Sequence, residues 1–181
     1  MKKINWKHIV YPCIAVIIGI LDLVTKYLIV QNVPMNQPVE ILGQFFRFVY
    51  IRNSGMVFGI LSGVEGAWKM PMLVIASLAA VAVVIYFYIK IAKFVKDGAP
   101  QDWGRIALMM ILGGAIGNNF ERIAFGSVTD FLDCGINESV RWFVFNVSDS
   151  FVVVGSIILA VLLIFFEKKQ PKHEDKPTGK S

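Results

Sequence analysis

Hydrophobic positions along this chain fall into long blocks that are separated by polar connections. Four apolar stretches run over residues 9–30, 72–94, 106–125 and 151–166. A helix needs about 20 residues to cross about 30 Å of hydrocarbon, and the four stretches reach or approach that length. The pattern therefore predicts a mainly α membrane protein with four transmembrane helices.

The polar connection at about 31–70 has a pattern of its own. Residues 39–42 and 45–51 are rich in β-branched and aromatic side chains with partial alternation, and Gly43 with Gln44 suits a turn between them. Such runs are typical of short strands. We expect a small β-sheet that lies on the extracytoplasmic membrane surface, where aromatic side chains are favoured.

The predicted domain organisation is simple. Residues 1–166 form a single four-helix membrane domain, and residues 167–181, which are charged and contain Pro and Gly, form a disordered cytoplasmic tail. A cleavable signal peptide is an alternative reading of the N-terminus. Against it, the first apolar run continues past Asp22 and Lys26, and no small-x-small cleavage site follows.

Composition agrees with a membrane protein. The 181 residues are 56% hydrophobic with a mean hydropathy of +0.62, whereas soluble domains average roughly 45–50% apolar residues. The net charge is +5, but Lys and Arg cluster at both ends and in the connection between the second and third stretches. We therefore expect no nucleic-acid partner, and the positive-inside rule predicts that both termini are cytoplasmic.

Cysteine and histidine are too sparse and too scattered for a metal site. The chain has two cysteines, Cys13 and Cys134, and two histidines, His8 and His173, with no HExxH motif. We expect no disulfide framework and no bound metal.

Two aspartates are the candidate catalytic residues. Asp130 directly follows the third apolar stretch and Asp149 directly precedes the fourth, so both should lie at the extracytoplasmic surface. Carboxylates at membrane depth are costly and are usually kept for function. Two that face each other share a proton and can activate water. Alternatively, each aspartate caps a helix or pairs with an arginine; the nearby Asp133 is interpreted as a solvated loop residue.

Other polar residues surround this pair. Amide and guanidinium groups suit a site that holds a peptide backbone, and the candidates for substrate binding are Asn53, Asn118, Arg122 and Asn146. Ordinary polarity at a helix end is the alternative for each.

Two further features of the helices predict structure rather than chemistry. Asp22 and Lys26 are four residues apart on the first helix and predict a structural ion pair. Gly113 and Gly117 form a small-xxx-small pair that predicts close helix approach.

These features alone leave two other classes of protein open. In an ion-coupled transporter or channel, Asp22, Asp130 and Asp149 would form a proton or cation relay. A non-catalytic assembly factor would keep the same bundle without needing either Asp130 or Asp149.

Four ordered motifs resemble those of the bacterial lipoprotein signal peptidases, also called signal peptidase II. The motifs are Asp22-Leu23-Val24-Thr25-Lys26, Arg52-Asn53-Ser54-Gly55-Met56-Val57-Phe58-Gly59, Gly113 to Asn118 followed by Arg122 and Val128-Thr129-Asp130-Phe131, and Phe145-Asn146-Val147-Ser148-Asp149-Ser150. Together they cover roughly residues 22–150.

The resemblance implies an aspartyl endopeptidase of the bacterial inner membrane. It would cut the signal peptide from prolipoproteins just before a cysteine that carries diacylglycerol, with Asp130 and Asp149 as the catalytic pair. It implies substrate-binding or supporting roles for Asn53, Asn118, Arg122 and Asn146, and no cofactor. We expect a monomer whose partners are diacylglyceryl-modified prolipoproteins and membrane lipid. A lipidated substrate needs a lateral opening between helices, and we expect the glycine-rich third helix to border it.

Three positions depart from the resembled pattern. Glu121 stands where Asp is usual, Thr129 where Val is usual, and Ser148 where Ala is usual. The longer side chain of Glu121 puts its pairing with Arg122 in question.

Overall fold

The computed structural model describes residues 6–55, 66 and 68–168, and these form a helical bundle with a small sheet at one end. The elements in chain order are α1 (Lys7–Asn32), β1 (Pro38–Leu42), β2 (Phe46–Asn53), α2 (Lys69–Phe94), α3 (Ala99–Phe125), β3 (Val128–Cys134) and α4 (Val147–Phe165). All four predicted helices are present, and both predicted strands are present with small shifts of their ends.

Three of the helices have the character of membrane spans. Within the described residues, α1 from Ile9 to Asn32, α2 and α4 are long and apolar enough to cross a bilayer. Helix α3 is at least as long as each of the others but carries more polar residues. It packs against α1, α2 and α4, so much of its surface is covered by protein rather than by lipid.

Glycines bring the helices around α3 into close contact. A Cβ on Gly113 would lie 2.7 Å from the carbonyl oxygen of Ala15 in α1, and one on Gly114 would lie 2.5 Å from the carbonyl oxygen of Ser148 in α4. These distances are far shorter than a carbon–oxygen contact permits, so only glycine allows this spacing. The predicted close approach is confirmed, because these glycines lie against neighbouring backbone. The lateral opening for lipid stays a prediction.

The sheet is antiparallel with the strand order β1-β2-β3. Strand β3 was not predicted, because its polar residues interrupt the apolar alternation that marked the other two strands. It pairs Asp130 with Ile51 and Val128 with Asn53. Phe131 of β3 packs with Ile29 of α1 and with Val33, the residue that follows α1, in a buried cluster. This cluster fixes the sheet to one end of the bundle.

The interpretation of Asp133 as a solvated loop residue is wrong. Asp133 lies in β3 and is 3% exposed. Its Oδ2 is 2.9 Å from Nη2 of Arg47, and its Oδ1 is 2.8 Å from Nε of Arg141. Two arginines from different segments neutralise this carboxylate and let it be buried.

The opposite end of the bundle carries the starts and ends of several helices. The Tyr11 hydroxyl in α1 donates to Asp102 in α3 at 2.6 Å, and Lys168 pairs with Asp97 at 3.1 Å. The first two residues of the predicted tail, 167 and 168, therefore lie against the α2–α3 connection, where Glu167 also bridges Val95. The rest of that predicted tail lies outside the described residues.

Candidate active site

Asp149 is placed by the cap at the start of α4. Asn146 is the N-cap residue: its Oδ1 accepts from the Asp149 backbone N–H at 2.9 Å, and the Asp149 carboxylate accepts in return from the Asn146 N–H at 3.2 Å. This reciprocal capping box fixes the first turn. Asp149 is therefore a capping residue, as the alternative reading had it, but its Oδ1 also accepts from Nδ2 of Asn118 in α3 at 2.9 Å.

Asp130 is held by amide groups from two other segments. Its Oδ1 accepts from Nδ2 of Asn146 at 2.7 Å, and its Oδ2 accepts from Nδ2 of Asn53 at 2.8 Å. Burial raises the pKa of Asp130 to about 6; the charge of Asp149 adds to the rise, whereas the two amide bonds and the charge of Lys26 oppose it.

Two asparagines connect the carboxylates. The Asn146 side chain, which is fully buried, donates both to Asp130 and to Oδ1 of Asn118 at 3.0 Å. Asn118 in turn donates to Asp149. The amides therefore set the relative position of two carboxylates that come from a strand and a helix.

The predicted pair on α1 lies directly behind these asparagines. Lys26 Nζ is 2.7 Å from Asp22 Oδ2 and donates to Asn118 Oδ1 at 2.8 Å. Asp22 Oδ1 accepts from the backbone N–H of Ser148 in α4 at 2.9 Å. The pair thus orients Asn118 and connects α4 to α1 by a hydrogen bond. Although Asp22 and Lys26 are far from Asp130 and Asp149 in the sequence, the structure places them beside the asparagines that bond these aspartates.

Arg122 and Glu121 point to different partners. Arg122 Nη2 donates to the carbonyl oxygen of Gly55 at 3.1 Å, and its charge acts on both Asp130 and Asp149. Glu121 is instead within 3.4 Å of both Arg52 and Lys26. The side chain of Arg122 is therefore available to the region of the aspartates and is not held by its sequence neighbour.

Sequence reasoning did not single out Thr129 and Arg52 as part of the site. Thr129 is fully buried beside Asp130, and Arg52 Nη1 donates to its hydroxyl at 2.8 Å. The available signal was position: each residue directly precedes a predicted site residue, Asp130 or Asn53.

The ionisable groups around the site have one more carboxylate than cation, and one bound proton would neutralise the excess negative charge. Among the described residues, four carboxylates (Asp22, Glu121, Asp130 and Asp149) face three cations (Lys26, Arg52 and Arg122). Because uncompensated buried charge is costly, the arrangement favours a pair of aspartates that holds one proton between them.

A cavity of about 460 Å³ lies beside this site, between α1, α3 and β2. Its lining includes Tyr27, Phe120 and Phe125, with Lys26 and Glu121 at its polar side. Neither Asp130 nor Asp149 lines it. Within the described part of the chain, no group of three or more His, Cys, Asp or Glu residues is placed to hold a metal ion.

A membrane-type helical bundle that buries two amide-linked aspartates at one end has the features of a membrane-embedded aspartic peptidase. The profile of the family described as signal peptidase (SPase) II matches residues 14–165. The chain belongs to this family and is a bacterial membrane peptidase.

Individual relatives are similar in sequence to this chain over most of their length. The chain is 37% identical to the lipoprotein signal peptidase of Solibacter usitatus over 164 residues, which cover 91% of this chain and 94% of that protein. It is 32% identical to the lipoprotein signal peptidase of Staphylococcus aureus strain JH9, over 90% of this chain and 93% of that protein.

Solved structures agree with the fold. One described as a bacterial membrane enzyme structure at 2.3 Å resolution has a TM-score of 0.71 and 30% identity, covering 86% of this chain and 87% of that chain. A second with the same description, at 1.9 Å, has a TM-score of 0.70 and 28% identity, covering 86% of this chain and 93% of that one. Membership of a peptidase family removes the reason to prefer a transporter or an assembly factor.

Proposed function

We propose that this enzyme removes the signal peptide from prolipoproteins by cutting before the diacylglyceryl-modified cysteine, with Asp130 and Asp149 as its catalytic pair. One observation supports this most directly: Asn146 bonds both carboxylates, Asp130 through its buried side-chain amide and Asp149 through its backbone N–H. One residue that bonds both groups holds them in one geometry, and fixed geometry is what general acid–base catalysis needs.

The proposed reaction follows from a pair that shares one proton. The ionised aspartate takes a proton from water, and the water oxygen attacks the scissile carbonyl carbon. The protonated aspartate donates to the carbonyl oxygen, which gives a tetrahedral diol. The aspartate that took the proton from water then donates it to the nitrogen of the lipidated cysteine as the carbon–nitrogen bond breaks. The other aspartate takes a proton from a diol hydroxyl, so the new carbonyl forms and the pair again holds one proton. The raised pKa of Asp130, at about 6, suits this exchange.

Four neighbouring residues take supporting roles in this proposal. Asn53 and Asn146 hold Asp130, and Asn118 holds Asp149. Arg122 carries the guanidinium that can bind carbonyl oxygens of the substrate. Asp22 and Lys26 stay structural and position Asn118.

We further propose that α3 is a fourth transmembrane helix and that residues 1–166 form one membrane domain. The ends near Tyr11, Asp97 and Lys168 meet on one side of the bundle, and that side carries most of the lysines. The positive-inside rule makes it cytoplasmic. Both termini are then cytoplasmic, and the carboxylate pair and sheet face outward.

This orientation suits a lipidated substrate. We propose that the enzyme acts on that substrate as a monomer and without a cofactor. Acyl chains hold the modified cysteine in the outer leaflet, so the scissile bond lies near the membrane surface. The carboxylate pair at the outer ends of α3 and α4 lies at that depth.

The test is cleavage of a diacylglyceryl-modified prolipoprotein by purified wild type, Asp130→Asn and Asp149→Asn. Wild type should cut before the lipidated cysteine, and both variants should lose at least about a thousandfold in kcat, because removing a member of a catalytic unit removes most of its rate enhancement. Near-normal cleavage by either folded variant would refute the assignment of the pair.

Asp133→Asn is the matched control. Asp133 is a buried carboxylate of the same strand, but it faces Arg47 and Arg141 rather than Asp149. The folded protein with this substitution should keep cleavage, although its stability should fall because two arginines lose one negatively charged partner.

A further inference from the structure

The Glu121 carboxylate accepts two hydrogen bonds from Thr129, the residue that directly precedes Asp130. One carboxylate oxygen of Glu121, Oε2, accepts from the Thr129 backbone N–H at 2.7 Å, and the other, Oε1, accepts from the Thr129 hydroxyl at 2.8 Å. Two bonds from one carboxylate to one residue fix both the backbone and the side chain of Thr129. Helix α3 thereby holds β3 immediately before its aspartate.

A second strand joins the same contact. Arg52 Nη1 donates to the Thr129 hydroxyl at 2.8 Å and lies 3.3 Å from Oε1 of Glu121. Arg52 Nη2 also donates to the carbonyl oxygen of Ser127 at 3.3 Å. We name Glu121, Thr129 and Arg52 the Glu121 clamp; it ties α3, β2 and β3 together at one buried point.

The clamp reaches the catalytic pair only through other groups. The Thr129 carbonyl accepts from Nδ2 of Asn146 at 3.3 Å, the same amide that bonds Asp130. Glu121 Oε2 lies 3.4 Å from Nζ of Lys26, which bonds Asn118. Glu121 thus acts on the peptide beside Asp130 and on both asparagines that link the carboxylates.

The two sequence departures nearest to Asp130 meet in this clamp. A shorter aspartate at position 121 would withdraw the carboxylate, and a valine at position 129 would have no hydroxyl to bond. We propose that Glu121, acting through Thr129, is a positioning residue that sets the orientation of Asp130 for cleavage. This inference rests on the proposed function.

Thr129→Val is the primary test, because it removes the hydroxyl and keeps the shape and the backbone N–H. We expect kcat for the diacylglyceryl-modified prolipoprotein to fall about tenfold with KM unchanged, because a bond that orients a charged group is lost while no substrate contact is changed. Thr129→Ser, which keeps the hydroxyl, should restore kcat to within about twofold of wild type.

Tyr11→Phe is the matched control for a purely structural effect. It also removes one hydrogen bond of a hydroxyl, to Asp102, but at the other end of the bundle. It should lower thermal stability about as much as Thr129→Val and leave kcat unchanged. Equal kcat in Thr129→Val and Tyr11→Phe, or equal losses in Thr129→Val and Thr129→Ser, would overturn the inference.

A double-mutant cycle with Glu121→Gln tests whether the two residues act together. Each single substitution should lower kcat about tenfold or more, and the double variant should lose little beyond the larger single effect, because both remove the same contact. Losses that multiply would show independent action and would overturn the inference.

Asp130→Asn in the same assay distinguishes a failure of the positioning role of Glu121 from a failure of the proposed function. An inactive Asp130→Asn beside a fully active Thr129→Val would contradict the positioning role alone. Absence of cleavage by the wild type would contradict both the proposed function and the inference.

Discussion

At the residue scale, Asn146 combines two tasks that are usually separate. Its Oδ1 caps α4 through the Asp149 N–H, and its Nδ2 bonds Asp130. Because the amide has an acceptor at one end and a donor at the other, a single side chain stabilises the helix start and orients a catalytic candidate. An aspartate or a serine at this position would perform only the first task.

Asn146 substitutions should therefore separate stability from activity. Asn146→Ala loses both tasks, so the free energy of unfolding should fall by about 0.5–2 kcal/mol and kcat by about 10- to 100-fold. Asn146→Ser keeps a good N-cap and should regain most of the stability without regaining kcat. Thermal denaturation in detergent and the cleavage assay measure the two effects. Parallel recovery of stability and kcat in Asn146→Ser would contradict the separate roles.

The pKa of Asp130 predicts how activity depends on pH. With its pKa at about 6, the proton that the pair shares is lost as the pH rises through that value. The pH profile of kcat/KM should therefore show a falling limb with a midpoint near 6 that belongs to the coupled pair. A profile that stays flat from about pH 5 to pH 8 would contradict a shared proton.

The raised pKa of Asp130 also predicts that its contribution to stability falls as the pH rises. A salt-bridged aspartate, whose pKa is lowered, shows the opposite dependence on pH. An unfolded aspartate has a pKa of about 3.9, so the folded state binds the proton more tightly. The stabilisation is fully present below about pH 4 and is lost as the pH rises through about 6, a change of about 3 kcal/mol. Thermal stability of wild type should fall over this range, and Asp130→Asn should lack that part of the fall.

At the element scale, the spacing between α3 and α4 decides whether Asn118 reaches Asp149. Gly114 lies where the two helices touch, and a Cβ there would lie 2.5 Å from the Ser148 carbonyl oxygen and 2.8 Å from the Val152 side chain. Neither a backbone carbonyl nor a packed valine can move far. The register of the two helices therefore depends on the absence of one methyl group.

Gly114→Ala should push α4 away from α3. We expect a loss of about 1–3 kcal/mol in stability from overpacking, together with a loss of cleavage, because Asp149 moves relative to Asn118. Gly19→Ala is the control, since its Cβ would meet its nearest atoms at 3.9 Å. Thermal denaturation and the cleavage assay report both effects, and equal behaviour of the two variants would argue against this packing explanation.

At the scale of the whole molecule, the bundle separates a lysine-rich end from an end that carries the sheet and the aspartates. The exposed residues Asp97 and Asn137 mark the two ends. The proposed topology predicts that Asp97 faces the cytoplasm and Asn137 the outside.

Cysteine labelling tests this topology. In a variant whose own Cys13 and Cys134 are replaced by serine, Asn137→Cys should react with a membrane-impermeant maleimide on intact cells. Asp97→Cys should react only after the membrane is permeabilised. The reverse pattern would invert the proposed orientation, and labelling of both positions from outside would exclude α3 as a complete span.

The sequence by itself determined the helices, the first two strands and the list of polar candidates. Helices and strands follow from local periodicity, which residues close together in the chain carry, and the motifs around Asp130 and Asp149 stand in order along it. Family membership rests on the same ordered information and extends over residues 14–165.

The tertiary structure alone decided which polar groups meet. Strand β3 forms only because β2 supplies its hydrogen bonds, Asp133 is buried only because Arg47 and Arg141 come from other segments, and Asn118 bonds Lys26 across 92 positions of sequence. Partners so distant in the chain leave no local pattern. Hydrogen bonds and ion pairs are set by positions in space, which only the packing of α1, α3, α4 and the sheet defines.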